Sequence, residues 1–190
     1  MVDHDEDDQD DEAAGAIAAD PHIDDDDGWD AAQEGADLIA EGNPDAAVIV
    51  LNKLVLAQPR NEHAFFFLGA AHYELGKWDL ALAAYVRTLE IKPQFIGAMI
   101  ATGHALRMLG RHEQALRMGH EVLKRDKNDA DALFLLGATH FARDDGAAAI
   151  GYLERFLDTR PEAEVATEAR GMLQVLQGEI APAVPGDDPD

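Results

Sequence analysis

The sequence predicts an all-α protein built from four copies of one helix pair and a final single helix. Three marks recur at intervals of thirty-four positions. The first mark is glycine, at Gly35, Gly69, Gly103, Gly137 and Gly171. Twelve positions after the first four glycines stand Ala47, Ala81, Ala115 and Ala149. The third mark closes the unit with Pro59, Pro93 and Pro161, and with Lys127 in the remaining slot. A period of this length is typical of repeat architectures in which each unit is one supersecondary motif.

Each repeat is predicted to contain two amphipathic helices separated by a short breaker. The first helices are expected near residues 28–41, 62–75, 96–109 and 130–143. The second helices are expected near residues 45–57, 79–91, 113–125 and 147–159. The breakers contain glycines that can end a helix in a left-handed conformation, at Gly42, Gly76, Gly110 and Gly146. Aspartates suit the next helix start, where the dipole is positive, at Asp45, Asp79 and Asp145.

The repeated glycine and alanine indicate that the two helices of a repeat cross closely. No side chain larger than a methyl group is expected to fit between Gly69 on the first helix and Ala81 on the second. One repeat cannot bury its apolar face alone, so consecutive repeats must stack. Four repeats exceed the minimum of about three that such an array needs.

The two ends of the chain differ from the repeats. Residues 1–30 hold 14 of the 38 acidic residues and no Lys or Arg, so residues 1–27 are expected to be disordered. After Pro161 a lone helix is predicted over residues 162–178. It would cover the last repeat with its apolar side, while its polar side, with Glu164, Glu168 and Gln174, faces away. The tail, residues 179–190, is rich in Pro and Asp and is also expected to be disordered.

The repeat resembles the tetratricopeptide repeat (TPR), whose pattern is W-x2-L-G-x2-Y, then A-x3-F, then P. In the second repeat this pattern is carried by Phe65, Leu68, Gly69, Ala81, Tyr85 and Pro93. The resemblance covers about residues 28–178. It implies a right-handed solenoid of four repeats and a C-terminal capping helix. The repeats would occupy residues 28–61, 62–95, 96–129 and 130–161.

The resemblance also implies where a partner binds, because first helices in this family line a concave groove for an extended or helical peptide. The corresponding positions here are His63, Phe66, Ala70, Tyr73, Ile100, His104, Arg107, Phe134, Ala138 and Phe141. Small side chains in this row would leave pockets, and its aromatic side chains would supply anchors of large contact area. The alternative is that Phe66 and Phe134 pack between repeats as part of the core.

Composition excludes several other classes of function. A formal net charge of −23 repels the phosphates of a nucleic acid. There is no cysteine, so disulfides and thiolate metal sites are excluded. The N-terminus is acidic and lacks the apolar stretch of a secretory signal. No segment approaches the ~18 apolar residues that a membrane span requires. These features predict a cytoplasmic protein that does not insert into membranes.

No catalytic, metal or cofactor site is predicted. His72 and His140 occupy the same repeat position two repeats apart, so they should lie roughly 20 Å apart, too far to share a metal. A calcium-binding loop centred on Gly28 would place Ile23, which cannot ligate, at its first ligand position. Sequence motifs for a hydrolase nucleophile, a phosphate-binding loop or a dinucleotide site are absent. The protein is therefore not expected to be an enzyme.

The expected partner is another protein, bound through an extended or helical apolar segment. Family members that clamp the carboxyl terminus of heat-shock chaperones carry Lys, Asn and Arg in the groove. The equivalent slots here hold Ala32, Ala36, Phe67, Asp131 and Leu135, which argues against that role. Two classes of function compete: a scaffold or chaperone that binds a peptide in its groove, and an assembly subunit that uses its convex face or ends. The sequence does not predict the oligomeric state.

The second repeat also resembles a narrower family, the class II chaperones of type III secretion systems. The similar residues are Phe66 to Ala70, Gly76, Asp79 to Ala81, Tyr85, Ile91 and Lys92. This resemblance implies a small acidic chaperone that holds hydrophobic translocator subunits before export. The fourth repeat and the acidic N-terminal segment depart from the pattern of that family.

Deleting residues 1–27 should leave the fold intact, because this segment offers little apolar surface beyond Ile17 and Ile23. The midpoint of thermal unfolding, followed by circular dichroism, should fall by less than about 5 °C, which corresponds to about 1 kcal/mol for a domain of this size. A larger fall would show that the segment contributes to the folded core.

Overall fold

The computed structural model describes the backbone of residues 25–178 and the side chains of residues 28–178. Within this range the chain forms nine α-helices and no β-strand. The first helices of the repeats are α1 (Asp25–Ala40), α3 (Glu62–Glu74), α5 (Ile96–Met108) and α7 (Ala130–Phe141). The second helices are α2 (Pro44–Ala57), α4 (Trp78–Ile91), α6 (His112–Leu123) and α8 (Gly146–Asp158). The last helix is α9 (Ala163–Leu176).

The helix boundaries agree with the predicted ones to within one or two residues, except at the start of α1. This helix begins at Asp25, three residues before the predicted start at residue 28. The end of the segment expected to be disordered is therefore helical. Its aspartates lie in the first turn, where a negative charge favours helix formation. The rest of that segment, residues 1–24, and the tail, residues 179–190, lie outside the described residues.

The helices pack as a stack of antiparallel pairs, which confirms the predicted all-α solenoid. Each helix from α1 to α8 contacts the helix that follows it in the chain. The first helices also contact one another in succession, α1 with α3, α3 with α5, and α5 with α7. Helix α9 ends the stack by packing against α7 and α8. The first helices therefore form one layer and the second helices another.

Polar side chains tie the helix starts together. Asn61 is 1% exposed, and its side-chain oxygen accepts a hydrogen bond of 2.9 Å from the backbone N–H of Ala64 in the first turn of α3. The amide group of Asn61 donates to the carbonyl of Gly28 in α1 at 3.0 Å. One residue thus caps a helix and joins the first repeat to the second. Asp129 and Asp145 cap α7 and α8 in the same manner, and Asp145 also contacts the ring nitrogen Nδ1 of His140 at 3.0 Å.

In three repeats a glycine in the left-handed conformation lies in the turn between the two helices, as predicted, and in the fourth repeat an aspartate takes this place. Gly42, Gly76 and Gly110 have φ angles of 76°, 67° and 70°. At the equivalent position of the fourth repeat, Asp144 adopts a φ of 58°. Gly146, expected from the sequence to end the preceding helix, instead begins α8. Aspartate tolerates the left-handed conformation better than other non-glycine residues do, so the turn is kept.

The recurring glycine was expected to face the recurring alanine of the second helix. In the structure it faces a large side chain of the second helix instead. A Cβ atom added at Gly69 would lie 2.6 Å from the ring of Tyr85, and one added at Gly137 would lie 2.7 Å from Leu153. Ala81, the predicted partner of Gly69, is fully buried beside this contact. The crossing distance is therefore set by a glycine facing a bulky residue sixteen positions later.

The third repeat lacks this bulky residue, since Gly119 occupies the position held by Leu51, Tyr85 and Leu153 in the other repeats. Two leucines of the fourth repeat fill the space. A Cβ atom added at Gly103 would clash with Leu135, and one added at Gly119 would lie 2.8 Å from Leu136. Both leucines belong to α7 and are fully buried. The fourth repeat thus supplies the side chains that fill the interior of the third.

The same substitution should have opposite effects at two of the recurring glycines. Gly103→Ala should lower the free energy of unfolding by about 1 kcal/mol or more, because the added methyl group overpacks against Leu135. Gly171→Ala should raise it by roughly 0.5–1 kcal/mol, because nothing in the described part lies within 4 Å of a Cβ there and alanine favours the helix. Urea titrations followed by circular dichroism measure both. Equal shifts in the two variants would contradict the packing of the third repeat.

Candidate functional site

A cavity of about 610 Å³ lies between the layer of first helices and the last helix, α9. It is lined by Tyr73, Tyr85, Ala101, His104, Arg107, Met108, Phe134 and Glu168. Helices α3, α4, α5, α7 and α9 all contribute to this lining, which is called the pocket below. Three of the eight residues are Tyr or Phe, and two carry opposite charges.

Helix α5 supplies half of the lining because one of its faces borders the pocket. Ala101, His104 and Met108 are three and four positions apart, so they share one face of the helix. Arg107 lies on the adjoining row. The small side chain of Ala101 leaves space between its larger neighbours. Tyr73 on α3 precedes Arg107 by one repeat length, so stacking of the repeats brings the two side chains to the same side.

The walls are aromatic and largely fixed by packing. Tyr85 is 4% exposed and reaches the pocket from the second helix α4, where it faces Gly69. Burial raises the pKa of its phenol above the usual range. Its ring lies 5.8 Å from that of Phe66, which in turn packs on Phe95 at 4.9 Å. Such ring contacts restrain the wall, so the pocket is formed before a ligand arrives.

The pocket ends at the fourth repeat because α9 covers α7. Phe134 is 8% exposed, and its ring lies 5.2 Å from that of Phe156. It shares a core cluster with Ala169 and Leu173 of α9. Residues 132–139 of α7 are all buried. Phe134 therefore forms part of the pocket floor and does not project into an open groove.

The charged groups of the pocket lack an ion pair within the described part of the chain. Arg107 and Glu168 make none there, with each other or with another side chain. The Nε–H group of Arg107 is buried and has no acceptor among residues 28–178. Burying such a donor without a partner costs about 1–3 kcal/mol.

The other titratable side chains of the pocket are held neutral. Burial of the ring, and secondarily the charge of Arg107, lowers the pKa of His104 from 6.5 to about 4. Burial raises the pKa of the Tyr73 phenol, an effect that Arg107 opposes and that the carboxylates of Glu74 and Glu168 reinforce. At neutral pH the pocket therefore presents one cation, one carboxylate and uncharged rings.

The structure brings together four of the ten residues expected in the groove, namely Tyr73, His104, Arg107 and Phe134. Ile100 and Ala138, also expected in the groove, are 8% and 1% exposed and lie outside the pocket lining. Ala70 and Phe141 are partly buried and lie outside the pocket lining.

His63 and Phe66 belong to a separate aromatic cluster near the starts of the first helices. Its other members are Trp29, Phe67 and Phe95. Trp29 is 44% exposed, and its ring lies 5.3 Å from those of both His63 and Phe67. This cluster links the first repeat to the second and third, and it presents one exposed indole ring.

Sequence reasoning missed four pocket residues: Tyr85, Ala101, Met108 and Glu168. Ala101 and Met108 lie on the same helix face as His104, so helical periodicity could have found them. The repeat pattern places Tyr85 in the core, and it does pack there with one edge at the pocket. Glu168, on the polar side of the last helix, lines the pocket. No local signal reveals this, because it depends on how α9 docks.

Among the described residues, no group of three or more His, Cys, Asp or Glu side chains is placed to hold a metal ion. No helix between residues 25 and 178 is long and apolar enough to cross a membrane.

Comparison with known sequences identifies the repeat and relates the chain to much longer proteins. A sequence model described as "Tetratricopeptide repeat" matches residues 33–94 and 100–164. The Protein CTR9 homolog of Arabidopsis thaliana is 33% identical over 92 residues, which cover 46% of this chain and 8% of that protein. Superkiller complex protein 3 of Homo sapiens is 23% identical over 137 residues, 68% of this chain and 9% of that protein. The chain thus spans less than a tenth of either relative.

Solved structures share the fold at lower identity. A thermophilic TPR protein of Thermus thermophilus, TTC0263, superposes with a TM-score of 0.67 at 20% identity, over 81% of this chain and 83% of its own. YrrB, described as a TPR protein with an unusual peptide-binding site, has a TM-score of 0.64 at 23% identity, over 78% of this chain and 77% of its own.

The low pKa of His104 should make stability depend on pH. In the unfolded chain His104 is protonated below about pH 6.5, whereas in the folded protein it is protonated only below about pH 4. The free energy of unfolding should therefore decrease as the pH falls from about 6.5 to about 4. In His104→Gln this part of the loss should disappear, on the order of 1 to 3 kcal/mol by the bottom of the window. Urea titrations at several pH values on the parent and the variant measure the difference. Parallel stability curves would contradict the burial of a neutral His104.

Proposed function

Because the chain belongs to the tetratricopeptide repeat family, we propose that it is a protein–protein interaction module whose pocket binds a peptide segment of a partner protein. The observation that carries this proposal is the pocket itself, lined by Tyr73, Arg107 and Glu168 among others. Its volume of about 610 Å³ lies within the range of small-ligand and side-chain sites, roughly 300–1,000 Å³. The peptide-binding site described for YrrB supports the same use of the fold.

The lining suits an apolar side chain of the partner held by polar contacts at its backbone. Tyr73, Tyr85 and Phe134 offer ring faces and edges, which give much contact area at low entropy cost. Ala101 and Met108 leave the centre open and adaptable. Arg107 can donate to a carbonyl or a carboxylate of the partner, which would fix the direction of the segment.

Only a short part of the partner segment occupies the pocket. The groove first expected from the sequence would extend across the fourth repeat, but α9 covers α7 there. The binding surface therefore runs from the pocket towards the first two repeats. An extended segment rises about 3.3 Å per residue, so a few residues are enough to fill the pocket.

A secretion chaperone for hydrophobic translocator subunits is one specific form of this function. It would hold an apolar partner segment in the same pocket and act in the cytoplasm, where an acidic carrier stays soluble by charge repulsion. The features that support it are the second-repeat residues that resemble that family and the net charge of −23.

An assembly subunit that uses its outer surface is the second candidate function. Four large apolar side chains are exposed on the second helices of the first two repeats, and they are called the convex patch: Ile49, Leu56, Leu80 and Val86. Leu56 is 83% exposed and Ile49 is 60% exposed. Exposed apolar surface of this kind marks an interaction site more often than chance.

Blocking the pocket should abolish binding of the natural partner without unfolding the protein. The partner is first identified by co-purification from the native cell and mass spectrometry. Ala101→Trp should then lower its affinity at least as much as Tyr73→Ala, for which we expect about thirtyfold, the usual loss for an aromatic anchor. Ala83→Trp, the same change at an exposed position of α4, serves as the matched control. Calorimetry measures affinity, and circular dichroism checks helical content.

Each outcome assigns the binding surface. Full affinity in a folded Ala101→Trp variant would refute the pocket. Loss of binding in Leu56→Glu or Leu80→Glu, with the pocket variants unaffected, would instead support the convex patch. Phe134 is left unchanged, because it is buried against Phe156 and its truncation would report on stability.

A further inference from the structure

We propose that the partner segment carries a carboxylate and a cationic side chain on either side of its apolar residue, with Arg107 binding the carboxylate and Glu168 binding the cation. This inference rests on the proposed function and specifies the chemistry of the segment that the pocket selects. It also assigns the last helix, α9, a direct part in binding.

The first support is the state of Arg107. Its Nε–H group is buried without an acceptor in the described part of the chain, and no carboxylate there pairs with its guanidinium. Among the eight residues of the pocket lining, Arg107 carries the positive charge, because His104 is neutral at physiological pH. Arg107 borders the pocket, where a carboxylate can accept charge-assisted hydrogen bonds from its guanidinium, which are stronger than those to a neutral group.

The second support is the position of Glu168. It is exposed on α9, at the opposite side of the pocket from α5, and it pairs with no cation among the described residues. Tyr73 lies within electrostatic range of both charges, since its phenol is affected by Arg107 and by Glu168 in opposite directions. Two opposite charges thus border one cavity without meeting. A ligand with matching charges can satisfy both at once.

The rest of the molecule favours a peptide with both charges over a simple anion. The chain has a formal net charge of −23, so a purely acidic ligand would be repelled as it approaches. A basic side chain directed at Glu168 offsets this repulsion and orients the segment. The apolar walls between the two charges, Tyr73 and Phe134, require an uncharged group in the middle.

Binding of such a segment would connect two parts of the protein that do not touch. Helix α9 contacts α7 and α8, whereas Arg107 lies on α5. A peptide that pairs with Arg107 and Glu168 would bridge α5 and α9 across the pocket. The last helix would then serve both to cover the core and to complete the binding site.

The test uses a phage-displayed library of random linear peptides, selected on the full chain and counter-selected on Ala101→Trp. Synthetic copies of the enriched peptides are then titrated by calorimetry. Arg107→Gln and Glu168→Gln should each weaken binding by about tenfold or more, the effect of losing one charge-assisted hydrogen bond. The matched controls are Arg117→Gln on α6 and Glu164→Gln on α9, both exposed and outside the pocket. Circular dichroism confirms that each variant is folded.

The double variant Arg107→Glu with Glu168→Arg gives the sharpest outcome. It should select peptides whose acidic and basic residues are exchanged in order, and it should bind the original peptides more weakly than the parent does. This inference is overturned if the peptides that depend on the pocket lack the charge pair. It is also overturned if they bind Arg107→Gln and Glu168→Gln as tightly as the parent. Either result leaves the proposed function standing. If no peptide distinguishes the parent from Ala101→Trp, the proposed function fails and the inference fails with it.

Discussion

The contact between a glycine on the first helix and a bulky residue on the second sets the geometry of the first, second and fourth repeats. It fixes how closely the two helices approach, and therefore the angle at which the next repeat is stacked. Gly69 facing Tyr85 shows the double role of this contact. The same ring that sets the crossing distance also presents an edge to the pocket. A change that loosens the helix pair would therefore also alter the wall of the pocket.

The capping helix shapes the site as much as the repeats do. It buries the apolar surface that the fourth repeat would otherwise expose, through Ala169 and Leu173. In doing so it converts an open groove into a pocket with a defined end. The polar side of α9, which helical periodicity alone assigns to solvent, supplies Glu168 to this pocket. One short helix thus covers the core with Ala169 and Leu173 and contributes Glu168 to the pocket.

The fold was predictable because the evidence for it is periodic and local. The thirty-four-residue interval and the breakers located every helix of the described range, and only the start of α1 differed by more than two residues. The candidate site was predictable in part. The family resemblance placed Tyr73, His104 and Arg107 in one groove, and all three line the pocket. The resemblance did not reveal that Ile100 and Ala138 are buried, or that Glu168 lines the pocket. Those features depend on tilts between helices and on where α9 docks, which no short stretch of sequence encodes.

The exchange of packing between the third and fourth repeats limits how modular this array is. In a regular array each repeat supplies the bulky residue of its own helix pair and stacks on its neighbours through similar interfaces. Here Gly103 and Gly119 leave a space that is filled by Leu135 and Leu136 of the following helix. The packing of these two repeats is therefore interdependent. A rearrangement that separated them would leave a void in the third repeat and expose two leucines of the fourth.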